Sequence, residues 1–176
     1  MSTLTNNHRT PETPFGWLLN ALLVGLMVYG LMAHLKDRYL IGHDGQLEPC
    51  LLGQPRWFLI DTQALAGQAG DLIAFRSDDR MAPEIPQGTL VIKRIEGVEG
   101  QRIRIEALGL GLDQQRLSLP YPHRDRLKDR ALPPGKTLEL KSGEYFVLGD
   151  HPRSFDSRYF GAIAASQWVG VAHALF

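Results

Sequence analysis

Residues 143–161 read GEYFVLGDHPRSFDSRYFG, and they set a short apolar run directly before a dense polar segment. The apolar part has the length of one strand and ends at a glycine, which is typical of a buried strand entering a turn. The polar part, 149-GDHPRSFDSRYFG-161, has a glycine at each end and carries acids, arginines, serines and a histidine between them. The stretch therefore predicts a strand that delivers a compact polar segment to one place in the fold.

The charged side chains of this segment are spaced so that they can pair. Asp150, Asp156 and Arg158 lie within nine residues, close enough to pair with each other or with neighbouring backbone, and Ser154 adds a hydroxyl. Taken alone, the segment indicates a polar turn held by an ion pair.

The rest of the chain beyond residue 40 also favours strands. Short apolar runs, several with period-two alternation, are separated by the turn signals PEIPQG, GVEGQ, LPPGK and KSGE. The runs are WFLID (57–61), DLIAF (71–75), TLVIKRI (89–95), RIRIEAL (102–108), TLEL (137–140) and YFVLG (145–149). We predict a mainly β domain, with at most a short helix near residues 162–167.

The N-terminal part has a different character. Residues 15–33, FGWLLNALLVGLMVYGLMA, contain Asn20 as their one strongly polar side chain, and as a helix they would be roughly 28 Å long, close to the thickness of a bilayer core. No small-x-small cleavage site follows, so an anchor is favoured over a cleaved signal. We expect an N-terminal segment at 1–14, an anchor in the lipid bilayer at 15–34, a linker at 35–47 and a β-rich domain at 48–176.

The sequence argues against several other classes of function. The chain has 19 basic and 19 acidic residues, so charge gives no support for a nucleic-acid partner. Its six histidines are scattered without ligand spacing, and no glycine-rich phosphate loop is present. We predict no metal, no organic cofactor and no nucleic acid.

A lysine lies in one of the predicted strands, within 91-VIKRIEGVEGQRI-103. A lysine amine held among apolar neighbours can lose its proton and act as a general base. Alternatively, Lys93 lies on the wet face of an amphipathic strand, and the alternation in VIKRI does not decide between the two.

Together these segments resemble the type I signal peptidases, the peptidase S26 family. TLVIKRIEGVEGQ resembles the lysine box of the family, GDHPRSFDSRYFG its C-terminal box, and GDLIAF the strand box that precedes the lysine. The spacing within the last box is similar to the conjugative-transfer, TraF-type branch. The resemblance implies a signal-peptidase-like, β-rich catalytic domain and a nucleophile assisted by a lysine base.

The resemblance also implies roles for individual residues. Lys93 matches the base, and Ser154 matches the serine that orients the lysine amine. Asp156 and Arg158 match the structural pair that supports the site, and Asp150 belongs to the same support.

The nucleophile is where the sequence departs from the family. Between Ser2 and Ser77 the chain has no serine, and 48-EPCL-51 stands where the conjugative branch carries Thr-Pro-Ser-Leu. Cys50, forty-three residues before Lys93, falls on the serine. A thiol is a plausible substitute, because it ionises more readily than a hydroxyl. The alternative is a buried structural cysteine, which has no disulfide partner because it is the single cysteine of the chain.

A second segment, 80-RMAPEIPQGTL-90, resembles the serine box of general signal peptidases but has Arg80 in the serine position. GDLIAF should lie between the nucleophile and the lysine, and here it lies upstream of this segment. We interpret the segment as a turn, and Ser77 is a poor candidate nucleophile for the same reason.

The resemblance therefore implies a membrane-anchored endopeptidase that cleaves a membrane-inserted precursor, and we expect that precursor to be a conjugative pilin. A positive-inside count of Arg9 against Lys36 and Arg38 favours a cytoplasmic C-terminal part, but the resemblance implies the opposite: a single-pass protein of the inner membrane with its catalytic domain on the periplasmic side. The main alternative is a catalytically inactive scaffold subunit of a conjugation apparatus. A tethered self-cleaving repressor is disfavoured, because no DNA-binding helical motif precedes the domain.

Overall fold

The structure is a computed structural model, and it describes residues 14–45, 50–51, 53, 56–106, 109–113, 115–117 and 129–175. The chain divides into two compact units, Met1–Arg38 and Tyr39–Phe176. The expected N-terminal segment at 1–14 lies outside the described residues except for its last residue.

The first unit contains helix α1, Pro14–Arg38, which has 25 residues. A helix of that length is about 37 Å long. By length and composition it could cross a membrane, and none of its residues is buried. The helix begins one residue before the expected anchor and continues past residue 34, because Lys36, Asp37 and Arg38 are compatible with helix and the two basic residues suit its C-terminal end.

The second unit is built from eleven strands and one short helix among the residues that the structure describes. The elements are β1 (Tyr39–His43), β2 (Trp57–Asp61), β3 (Leu72–Arg76), β4 (Leu90–Gly97), β5 (Arg102–Glu106), β6 (Gly109–Leu112), β7 (Gln115–Leu117), β8 (Thr137–Glu139), β9 (Glu144–Leu148), α2 (Ser157–Phe160), β10 (Ile163–Ala164) and β11 (Trp168–Ala174). The prediction of a mainly β domain with one N-terminal apolar helix is confirmed.

The strands form two sheets. The larger has seven strands in the order β1-β2-β11-β3-β4-β9-β10, and the smaller has four in the order β7-β6-β5-β8. All described pairings are antiparallel. Strand β1 lies in the segment that the sequence suggested as a linker, and it pairs with β2 from Tyr39 opposite Asp61 to His43 opposite Trp57.

The central strands of the larger sheet have apolar side chains packed on both faces. One cluster contains Ile73, Val91 and Ile95 together with aromatic residues of the C-terminal segment. A second cluster, on the other face, contains Phe58 and Leu72. A strand between two such layers has no fully wet face, which is why alternation alone could not place the lysine of β4.

Residues 162–167 do not form the short α-helix that the sequence suggested. They form β10, which pairs with β9, followed by a 3-10 turn at Ala165–Gln167. The pairing of Ile163 with Tyr145 buries Ile163 completely, and this tertiary contact overrides the local helical tendency.

Candidate active site

Strand β4 carries Lys93 into the interior of the domain. Along this strand Val91, Lys93 and Ile95 are buried, whereas the residues between them are partly exposed. Lys93 lies opposite Ile73 of β3 and is only 2% exposed. Its side chain therefore shares its face of β4 with apolar neighbours. The interpretation that Lys93 lies on a solvent-exposed face of the strand is wrong.

The polar segment at residues 149–161, called the C-terminal segment, brings Ser154 to this lysine. Lys93 Nζ donates a hydrogen bond of 2.8 Å to Ser154 Oγ, and Ser154 is 3% exposed. The turn that holds the serine is closed by its own backbone, because Ser154 N–H donates to the carbonyl of His151. Two residues sixty-one positions apart in sequence are thus joined inside the protein.

Asp156 and Arg158 form a fully buried pair beneath this turn. Their side chains are 0% and 1% exposed. Arg158 donates to both carboxylate oxygens of Asp156, each at 2.8 Å, and the same carboxylate accepts the backbone N–H groups of Gly149 and Arg158. Arg158 Nη2 also donates to the carbonyl of Ser154 at 3.3 Å. The pair therefore fixes both the end of β9 and the turn that presents the serine.

The charge of Arg158 is stable in this setting. Burial disfavours the charged guanidinium, but the field and hydrogen bonds of Asp156 outweigh that effect, with smaller contributions from Tyr159 and Cys50, so that the pKa of Arg158 is raised. An arginine that stays charged in the interior keeps its two-pronged geometry on the carboxylate.

Asp150 pairs with Arg94 of β4 and not with Arg158. The two side chains make a two-pronged contact, with distances of 3.1 and 3.2 Å, and Arg94 Nη1 also donates to the carbonyl of Gly70 at 2.9 Å. The hydrogen bond to Asp150 raises the pKa of Arg94 despite partial burial. This pair links the strand that carries Lys93, the turn before β3 and the start of the C-terminal segment.

Cys50 lies at the same site. Its carbonyl accepts the backbone N–H of His151 at 3.0 Å, and its side chain is buried. Of the flanking residues in 48-EPCL-51, Glu48 and Pro49 lie outside the described part of the chain. Gly149 is wedged between the two segments: a Cβ there would overlap Ser154 Oγ and would lie 3.0 Å from the Cys50 carbonyl oxygen. Only a glycine permits this approach.

A cavity of about 390 Å³ opens beside Cys50 and Lys93, which both line it. Its walls come from β1, from the residues before and within β4, and from the loop between β3 and β4. The lining residues are Ile41, Gly42, His43, Asp44, Gly45, Cys50, Leu51, Phe58, Glu84, Ile85, Pro86, Thr89, Leu90, Val91, Ile92 and Lys93. A cavity of this size, bounded by an edge strand and next to a buried amine and a thiol, suits a short extended peptide.

Ser77, the poor candidate from sequence, has a structural role. Its hydroxyl donates to the carbonyl of Pro86 at 2.6 Å and accepts the backbone N–H of Thr89 at 2.9 Å. Both contacts close the loop between β3 and β4. The hydroxyl is therefore engaged by that loop.

Sequence reasoning missed three features of the site. It did not find Arg94 as the partner of Asp150, although the adjacent basic residues of β4 could have suggested it. It did not find the wall formed by residues 84–86, nor the place of β1 at the cavity. Among the residues that the structure describes, no group of three or more histidine, cysteine, aspartate or glutamate side chains could hold a metal ion.

The site is thus a buried lysine and serine beside a cavity in a β-rich domain that follows an apolar helix. The sequence model of the signal peptidase family, peptidase S26, matches residues 17–176. The chain belongs to this family of peptidases. Among solved structures, the crystal structure of a signal peptidase I from Enterococcus faecalis is 31% identical, with the match covering 60% of this chain and 96% of that chain at a TM-score of 0.40. No curated protein sequence gives a match.

Proposed function

We propose that this signal-peptidase-like protein is a membrane-anchored endopeptidase that uses Cys50 as the nucleophile and Lys93 as the general base. The observation that carries the proposal is the 2.8 Å hydrogen bond between Lys93 Nζ and Ser154 Oγ, made inside the protein beside a cavity that Cys50 also lines. Isolated structural lysines are rarely so buried.

The proposed reaction follows from these groups. The sulfur of Cys50 attacks the scissile carbonyl while Lys93 Nζ takes the thiol proton, and the same proton then passes to the leaving amine. The resulting thioester is hydrolysed by water, with Lys93 again acting as base. Ser154 orients the amine towards the reacting atoms, and it accepts a hydrogen bond from the ammonium that forms once Lys93 has taken the proton, because a charged group in a dry site needs a polar partner.

Ser154 is held in turn by Asp156 and Arg158, while Asp150 with Arg94 holds β4 against the C-terminal segment. These four side chains act as support and do not touch the substrate in this proposal. Their value lies in restricting the lysine and serine to one geometry, which matters because small displacements of reacting groups are costly in rate.

The substrate we propose is a membrane-inserted precursor bound as an extended strand. Strand β1 is an edge strand of the larger sheet, and three of its residues line the cavity. In this proposal a peptide pairs with the backbone of β1 by β-augmentation, and its side chains enter the apolar part of the cavity.

The resemblance of the C-terminal box to the conjugative-transfer, TraF-type branch supports a pilin as that precursor. The proposed arrangement is a single pass through the inner membrane by the segment at 15–34, a cytoplasmic segment at 1–14, and a catalytic domain from residue 48 on the periplasmic side. Residues 35–47, which we proposed as a linker, include the end of α1 and all of β1.

The absence of a serine between Ser2 and Ser77 favours a second candidate, a catalytically inactive scaffold subunit of a conjugation apparatus. The buried lysine speaks against it, because burying an amine without a chemical need lowers stability.

Cleavage of the precursor in cells separates the two candidates. We expect the wild type to process the precursor, Cys50→Ala and Lys93→Ala to accumulate it at normal protein levels, and Cys50→Ser to retain some activity. Ser77→Ala removes the other candidate nucleophile and should still process, although its hydroxyl also closes the loop at Pro86. Full processing by Cys50→Ala would refute the nucleophile, and no processing by the wild type would favour the scaffold.

A further inference from the structure

Arg80 is the residue that replaces the serine in 80-RMAPEIPQGTL-90, and the proposed reaction gives it no part. It lies in a one-turn 3-10 helix, Asp79–Met81, between β3 and β4. Asp78 caps that turn through the backbone N–H of Arg80 and also receives its Nε at 2.8 Å. Asp78 thus holds both the backbone and the guanidinium of Arg80.

The guanidinium reaches the segment that follows the buried ion pair. Its Nη1 donates to the carbonyls of Phe160 and Ala162 at 3.1 and 3.0 Å, which lie on either side of the C-cap of α2. Its Nη2 donates to Gln167 Oε1 at 3.2 Å. One side chain therefore joins positions that are 80 to 87 residues apart in the chain.

The backbone of Arg80 is held to the same region. Its carbonyl accepts a 2.7 Å hydrogen bond from Arg130 Nη2, and the guanidinium of Arg130 lies over the ring of Phe155, 5.4 Å from the centroid. Phe155 directly follows Ser154 in the chain. The side chain of Arg80 thus contacts the end of α2 and Ala162 directly, whereas its carbonyl is linked to Phe155 through Arg130.

The loop that begins at Arg80 forms one wall of the cavity. Met81 is completely buried and its carbonyl accepts the backbone N–H of Ile85. Ile85, with Glu84 and Pro86, lines the cavity, as do residues of β1. A change in the position of Arg80 would therefore be transmitted to a surface that a bound peptide touches.

We propose that Arg80 is a positioning residue for substrate binding, which holds the cavity wall at residues 84–86 against the C-terminal segment that carries Ser154. This inference rests on the proposed peptidase function. Arg80 acts through the loop and touches neither the substrate nor the reacting atoms. Its task requires an arginine, because a lysine has one nitrogen and cannot contact Asp78, two carbonyls and Gln167 together.

The test compares Arg80→Met and Arg80→Lys with Arg76→Met in the full-length protein in detergent. Arg76 is the matched control, since its Nη1 donates to Gly88 O of the same loop at 3.0 Å but its guanidinium has no such bridge to Phe160 and Ala162. Steady-state kinetics are measured on a precursor peptide, and hydrogen exchange is measured for the backbone N–H groups of the non-proline residues of 82–88.

For Arg80→Met we expect KM to rise about fivefold and kcat to stay within about twofold, because the lost hydrogen bonds are partly exposed and the lysine and serine keep their own supports. The KM of Arg80→Lys should lie between those of the wild type and Arg80→Met. Arg76→Met should leave KM within about twofold of the wild type. Amides of the loop should exchange faster in Arg80→Met than in Arg76→Met.

An equal rise in KM for Arg80→Met and Arg76→Met would overturn the proposal, as would a fall in kcat with KM unchanged. If the wild type cleaves no peptide, the proposed function fails, and the exchange rates alone decide whether Arg80 holds the wall: equal rates in the two variants would then refute it.

Discussion

The two aspartate–arginine pairs of the site provide a sharp test, because they have the same chemistry and differ in burial. Asp156 and Arg158 are 0% and 1% exposed, whereas Asp150 and Arg94 are each 25% exposed. We consider Asp156→Asn and Asp150→Asn, which change a carboxylate to an amide of nearly the same shape in each pair.

The expected effects on the free energy of unfolding differ several-fold. Asp156→Asn leaves the guanidinium of Arg158 charged and buried without its counter-ion, a change that typically costs about 3–5 kcal/mol. Asp150→Asn acts on a pair that water can reach, and should cost about 1 kcal/mol or less. Since an arginine side chain does not lose its proton in this range even without a counter-ion, the cost of Asp156→Asn should not change across neutral and mildly alkaline pH.

The assay is urea unfolding of each full-length variant in detergent, followed by the near-ultraviolet signal of the tryptophans. Both variants are compared with the wild type at the same detergent concentration. Equal losses of stability in the two variants would show that burial does not set the cost of losing the carboxylate, and a loss in Asp156→Asn that disappears when the pH is raised by two units would contradict a permanently charged Arg158.

Two further changes give separate tests. Gly149→Ala would force a methyl group into Ser154 and should lower kcat by about a hundredfold, because the lysine and serine would be misplaced. Gly30→Ala is the control, since a Cβ at Gly30 has open space around it. Equal activity of the two variants would contradict the prediction. Burial raises the pKa of Glu96, so its protonated form favours folding at acid pH and that contribution is lost as the pH rises through the folded-state value. Glu96→Gln should therefore be more stable than the wild type at neutral pH, and in urea unfolding the difference should vanish below about pH 4. A difference in stability that grows at acid pH would mean that folding lowers the pKa of Glu96, which would contradict the prediction.

The strands that were predicted from sequence are those whose apolar runs are bounded by turn residues. WFLID matches β2, DLIAF overlaps β3, and TLVIKRI lies within one residue of β4 at its start. Strand β1 was not predicted, because YLIGH continues directly from α1 without a turn signal and acquires its strand conformation by pairing with β2. Strand β10 likewise acquires its strand conformation by pairing with β9.

The site residues that belong to the sequence motif were predictable, whereas the contacts that depend on strand pairing were not. The motif places Lys93, Ser154 and the Asp156–Arg158 pair, and the structure brings all four together. The burial of Lys93 depends on apolar residues contributed by other strands, so one strand's alternation could not reveal it. The partner of Asp150 lies fifty-six residues away and depends on the register of β4 against β9.

The most direct test of the proposed function is the mass of the protein after rapid acid quenching during cleavage of a precursor peptide. Cys50 is the single cysteine of the chain, so a thioester can form at one position only. We expect a species heavier by the N-terminal part of the substrate, released by hydroxylamine and absent from Cys50→Ala. Cleavage without such a species, at the same rate in Cys50→Ala, would contradict it.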